Sequence, residues 1–150
     1  MKIIKKSSEH IDNDALLACY DVGKDTLSFH SSYNINNEDV IANDWVDNRP
    51  GHLQHHFTQL EQLREQSGKK KIVVICEPSG GYERQLLKAA WDKGYTTRYV
   101  SGEATKKASA IESNDNEKSD EKDPRVIDLV AKLKRTLTCE CRKGIYKKLV

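Results

Sequence analysis

Four carboxylates are the residues of this chain best placed to do chemistry. Asp21 lies in the apolar run of residues 16–22, and Glu77 directly follows the apolar run of residues 71–76. Asp120 and Asp123 stand three residues apart in a polar, acidic stretch. Two carboxylates about 4 Å apart repel by roughly 4 kcal/mol at an effective dielectric near 20, so acids gathered at strand ends call for a cation between them. Hard oxygen ligands that leave positions for water and phosphate suit Mg²⁺ or Mn²⁺. Two such ions held close activate a nucleophile and stabilise the leaving oxygen of a phosphodiester. The plainer alternative stays open for each residue. A strand-terminal Asp caps a turn, a Glu before Pro78 is simply exposed, and Asp123 before Pro124 is an ordinary helix start. The spacing of Asp120 and Asp123 would put both on one helix face.

Other segments offer weaker signals. Ser79-Gly80-Gly81-Tyr82 lies between a strand and a helix, where glycines allow close backbone approach and a helix N-terminus favours an anion. It reads equally as a phosphate seat and as a tight turn with no ligand. His52, His55 and His56 have metal-compatible spacing but no carboxylate in their segment, and they read as surface histidines. From Lys132 to Lys148 there are seven Lys/Arg against Glu140 alone, while residues 112–123 hold six acids against Lys118 and Lys122. This segregation suggests one place for cations and another for a polyanion. Tyr146 is the one aromatic among the basic residues, so the basic segment offers little base stacking.

The elements that must position these residues follow from periodicity. Residues 16–22 form a buried strand, and residues 26–30 alternate as a second strand after the short Gly23-Lys24-Asp25 connection. A weaker third strand covers residues 40–46, and Pro50-Gly51 breaks the chain. Leu53, Phe57, Leu60 and Leu63 recur at helical spacing up to Gly68. Residues 71–76 form the clearest buried strand, followed by a helix over 82–92 and a strand over 95–100, a right-handed parallel unit. A short helix is expected within 102–111, and Val126, Leu129, Val130 and Leu133 make one face of a last helix. An antiparallel opening ribbon followed by alternating helices and parallel strands is an α/β ribonuclease H-like mixed sheet flanked by helices. Asp21 and Glu77 then sit at strand ends that open into the ligand crevice of such sheets.

At 150 residues and net charge +2 the chain is one ordinary domain, and its composition alone does not announce a nucleic-acid binder. No apolar run is long enough to span a membrane. The basic, then polar, start lacks the apolar region of a secretory signal. Cys19 and Cys76 lie in apolar runs, and Cys139-Glu140-Cys141 lacks the second ligand pair of a zinc site. A reducing cytoplasm is the expected location.

Taken together, Tyr20-Asp21-Val22-Gly23-Lys24-Asp25-Thr26-Leu27, Glu77-Pro78-Ser79-Gly80-Gly81-Tyr82-Glu83 and Lys118-Ser119-Asp120-Glu121-Lys122-Asp123 closely resemble the DEDD transposases of bacterial insertion sequences, relatives of the Piv-type recombinases. The resemblance covers residues from about 16 to 133 and implies a RuvC-like N-terminal domain. It implies that Asp21, Glu77, Asp120 and Asp123 form an acidic tetrad binding Mg²⁺ or Mn²⁺ for DNA strand cleavage and joining in transposition. It also implies DNA as substrate, a structured guide RNA as a candidate partner and a homo-oligomer in the full-length protein. Lys24, Ser79, Gly80, Lys132, Arg135, Arg142 and Lys143 are the expected nucleic-acid contacts. Two departures matter. Pro124 stands where the family continues its helix through an Ala, and the serine-bearing second domain of the family has no counterpart here. The expected layout is a mobile tail over 1–14, a catalytic domain over 15–135 and a basic extension over 136–150 leading toward that second domain. The alternative is a nucleic-acid-binding module that is catalytically incomplete alone. A nucleotide phosphotransferase of the actin-like superfold, suggested by Asp21-Val22-Gly23-Lys24-Asp25-Thr26, would need a second lobe. The tetrad is expected to be half preformed, with Asp21 and Glu77 fixed and Asp120 and Asp123 closing on metal, nucleic acid or the second domain.

Overall fold

The computed structural model describes residues 14–102, 105–107, 124–132 and the backbone of 137–139. Three antiparallel strands open it: β1 (Ala15–Val22), β2 (Thr26–Ile35) and β3 (Glu38–Asp47). Then come α1 (Pro50–Ser67), β4 (Lys71–Cys76), α2 (Arg84–Asp92) and β5 (Thr96–Tyr99). A helical stretch at 102 and 105–107 precedes α3 (Pro124–Lys132) and β6 (Leu137–Cys139). The six strands form one sheet in the order β3-β2-β1-β4-β5-β6. β1 pairs parallel with β4, and β4 pairs parallel with β5. No helix among the described residues is long and apolar enough to cross a membrane.

Strand periodicity sends alternate residues of β1 and β4 to opposite faces. Leu16, Ala18, Tyr20, Val22, Ile72, Val74 and Cys76 join Leu53, Phe57 and Leu60 of α1 and Leu86, Leu87 and Ala90 of α2 in the larger core. Ala15, Leu17, Cys19, Val73 and Ile75 join Val126, Ile127, Val130 and Ala131 of α3 on the other side. The mixed sheet and the parallel unit expected from periodicity are both present. Several boundaries differ. β2 and β3 reach ten residues each. They pair along their whole length through a tight turn in which Asn36 and Asn37 take positive φ. Pro50 occupies the first turn of α1 rather than breaking the chain, because its missing N–H is one that a helix start leaves unpaired anyway. α2 begins at Arg84, since Ser79–Glu83 are used by the turn before it. β6 adds an antiparallel edge strand within the segment expected as a basic extension.

Candidate active site

Asp21 and Glu77 come together through register. Tyr20 is opposite Cys76, so the next residue on each of these parallel strands is Asp21 and Glu77. Both fall on the α3 face, because the residues before them, Tyr20 and Cys76, point into the opposite core. Asp21 is half-buried, and Glu77 is only 7% exposed. Thr105 Oγ1 donates to Glu77 Oε2 at 3.1 Å. Gly102, whose carbonyl accepts from the same hydroxyl at 2.9 Å, also lies against the carboxylate: a Cβ there would stand 2.9 Å from Glu77 Oε1. The glycine is thus needed for space around the carboxylate.

The loops beneath these acids are tied together by Asn48, a residue that the sequence did not single out. Its Nδ2 donates to Gly23 O after β1 and to Tyr82 O in the turn after Glu77, each at 3.0 Å. Its own N–H donates to Asp25 O at 2.8 Å. In the Ser79-Gly80-Gly81 turn, the glycines take φ of 65° and 104°, values that side-chain-bearing residues rarely adopt. Glu83 Oε2 accepts from the N–H of Ser79 at 3.1 Å and of Gly81 at 3.2 Å. The turn's own carboxylate thus occupies the N–H groups of Ser79 and Gly81, which favours the second of the two equal readings, a tight turn closed on itself.

One turn along α3 from Pro124 lies a second group that sequence reasoning missed. Asp128 is 5% exposed and faces β1 and β2. Ser32 Oγ donates to its Oδ2 at 2.8 Å, Lys132 Nζ lies 2.9 Å from the same oxygen, and Cys19 Sγ is 3.7 Å from Oδ1. His30 Nε2 lies 3.4 Å from Oδ2, and His30 Nδ1 lies 2.8 Å from Asn43 Oδ1. Both ring nitrogens therefore face acceptors, which suits imidazolium. The hydrogen bond to Asp128 raises the His30 pKa above its ordinary value, against the opposing effect of burial. Burial pushes the Asp128 pKa up, but His30, Lys132 and Ser32 outweigh it and hold the carboxyl below its usual range. Burial beside this carboxylate pushes the Cys19 thiol well up, so it stays a thiol.

This cluster also relocates one expected DNA contact. Lys132, whose side chain is 44% exposed, reaches with its Nζ to Asp128 and to both oxygens of Ser32. Lys24 and Gly80 are exposed and Ser79 is half-buried, all at the acidic end of the sheet. Asp120, Asp123, Arg135, Arg142 and Lys143 lie outside the described residues. Among the described residues no group of three or more His, Cys, Asp or Glu is assembled for a metal ion. Of the three α1 histidines, His52 and His55 are exposed as expected, whereas His56 is 4% exposed and belongs to the larger core. Its place beside Phe57 and three residues after Leu53, on the apolar stripe, was the available signal.

Adjacent parallel strands ending in acids, an antiparallel ribbon on one side and helices on both faces define the RuvC-like class of the ribonuclease H-like fold. RuvC of Thermus thermophilus superimposes with a TM-score of 0.51 at 11% identity, over 83% of this chain and 99% of that one. The same protein solved with a Holliday junction substrate gives 0.49 at 11% identity over the same shares. A Ppx/GppA family member from Aquifex aeolicus gives 0.41 at 8% identity, over 65% of this chain and 39% of that one. No curated protein matches the chain. The model of the IS110-type DEDD transposases matches residues 19–143, and the chain belongs to that transposase family.

Proposed function

We propose that this chain is the metal-dependent DNA-cleaving domain of a transposase, and that Asp21, Glu77, Asp120 and Asp123 are its acidic tetrad. The observation that carries the reading is the placement of Asp21 and Glu77 in consecutive register on side-by-side strand ends, on one face, in a member of a transposase family. The donor set fits Mg²⁺ or Mn²⁺. It is all carboxylate oxygen, and Glu77 is held nearly out of solvent by Thr105 and Gly102. Asp123 directly precedes Pro124, where α3 starts, and Asp120 lies three residues earlier. When bound, such ions polarise the scissile phosphate and activate the attacking oxygen for cleavage and joining. The protein's own contribution is rigidity. Asp21 and Glu77 are set by strand pairing, and Asn48 joins the loops behind them. Lys24, Ser79, Gly80, Arg135, Arg142 and Lys143 are proposed DNA contacts, whereas Lys132 serves Asp128. A guide RNA, a homo-oligomer, a second serine-bearing domain and a cytoplasmic location belong to this same reading.

Mg²⁺ or Mn²⁺ titration followed by thermal unfolding tests it. At about 100-fold excess over Kd, binding to the native state alone adds about 2.7 kcal/mol. Wild type gains stability and Asp21→Ala does not; equal responses overturn the metal site. DNA binding that ignores EDTA and Glu77→Gln, with no cleavage in Mn²⁺, would instead identify a binding module.

A further inference from the structure

Asp21 and Glu77 do not end the row they stand in. Asp21 is directly opposite Ser28 on β2, and Ser28 is directly opposite Trp45 on β3. Directly paired residues share a sheet face. Glu77, Asp21, Ser28 and Trp45 therefore form one line across four strands on the α3 face. Trp45 is 77% exposed, and Ile41 on the same face of β3 is 62% exposed. α3 packs over β1, β2 and β4, and the indole remains in solvent. Between it and Asp21 stands the small Ser28, so no bulky side chain of this row walls the ring off from the acids. Two strand spacings separate Trp45 from Asp21, about 10 Å, a span that one nucleotide unit can bridge.

Resting on the reading of Asp21 and Glu77 as a phosphodiester-cleaving site, we infer that Trp45 is a stacking platform for a DNA base next to the scissile phosphate. Every nucleobase has a π-face, and an indole offers a large rigid one. The sequence of β3 selects among occupants. Glu38, Asp39, Asp44 and Asp47 are its charged residues, and it has no Lys or Arg. These acids repel a phosphate backbone laid along the edge, and they equally repel a second β3 pairing edge to edge. An uncharged base, splayed from a strand whose phosphate lies at the acids, meets neither obstacle. Trp45 is thus a positioning residue that fixes which phosphate lies over Asp21 and Glu77.

The full chain and a fluorescein-labelled thymidine oligonucleotide provide the test, by anisotropy with Ca²⁺ present as an oxygen-coordinating stand-in for Mg²⁺. Trp45→Ala weakens binding roughly 5- to 150-fold, and Trp45→Phe restores most of it. A strand carrying abasic sites binds wild type as poorly as the intact strand binds Trp45→Ala. In a Trp91→Phe background, where Trp45 is the sole tryptophan, emission is quenched in step with the anisotropy; the first comparison needs no such background if that variant fails to fold. Binding that is equal in wild type and Trp45→Ala overturns the platform and leaves the acidic site standing. No DNA binding by wild type overturns both. Emission that shifts with protein concentration in the absence of DNA assigns the surface to a second copy of the chain and also overturns the proposal.

Discussion

The two faces of this sheet each bury a histidine, and they bury it in opposite ways. On the α1 face, His56 sits against Tyr20, Phe29 and Phe57, with ring centroids 5.6, 4.8 and 5.9 Å away. Tyr20 OH lies 2.8 Å from its Nε2, while Asp44 Oδ2 is 3.4 Å from Nδ1. Burial lowers its pKa and outweighs Asp44, so the ring is a neutral part of an aromatic core. On the α3 face, His30 is held between Asn43 and Asp128, and its pKa is raised. One histidine fills space; the other is a charge that fastens a helix. The lesson is that burial alone does not decide protonation. Both rings lie 3.4 Å from a carboxylate oxygen, and the decision rests on whether that partner offsets burial: the buried Asp128, helped by Asn43, does so for His30, whereas the half-exposed Asp44 does not for His56.

Asp128→Ala is the largest expected break in this contrast. It strands His30 beneath α3 and frees the half-exposed Lys132, and removing one partner of a buried pair costs about 3–5 kcal/mol. Urea unfolding checks this, and Asp128→Leu combined with His30→Leu should recover part of the loss. His56→Ala should cost about 2 kcal/mol, within the range for a buried group left unpaired, since Tyr20 OH loses its partner and the core gains a cavity. Gly102→Ala should cost about 1 kcal/mol, because a Cβ there must displace the buried, hydrogen-bonded end of the Glu77 side chain. The same variant should weaken Mn²⁺ binding, as measured by the metal-dependent gain in melting temperature.

The smallest effect is in pH, where the two rings pull in opposite directions. Because the His30 pKa is raised, its stabilisation is complete below the ordinary value of 6.5 and is lost as pH rises through the higher folded value. Because the His56 pKa is lowered, stability is lost as pH falls below 6.5 toward the lower folded value. His30→Asn should flatten the alkaline limb of a stability profile and His56→Asn the acidic limb. If both variants flatten the same limb, the two rings are not in opposite charge states.

What could be read in advance follows physical range. The apolar runs 16–22 and 71–76 announced β1 and β4, since a strand buried on both faces is apolar throughout. Asp21 and Glu77 were legible because one stands near the end of such a run and the other directly after it. The Asp128 cluster was not, because Ser32 lies 96 residues away in the chain and only the fold unites them. In sequence, Asp128 looks like one more charge on a helix that carries Lys132. Reading Val126, Leu129, Val130 and Leu133 as the buried stripe also rotated that helix slightly: Ile127 and Ala131 are buried, whereas Leu129 is only partly so. His56 was misplaced because its neighbours His52 and His55 are in water. The Asp120–Asp123 half of the tetrad falls outside the described residues, and its place in the site remains a proposal.

Asn48 has a mechanical consequence. Its amide holds the carbonyls of Gly23 and Tyr82, one from each loop that leaves an acid-bearing strand. Those loops therefore move as one piece: spreading Asp21 from Glu77 through loop motion means first breaking an amide hydrogen bond. This half of the crevice acts as an anvil.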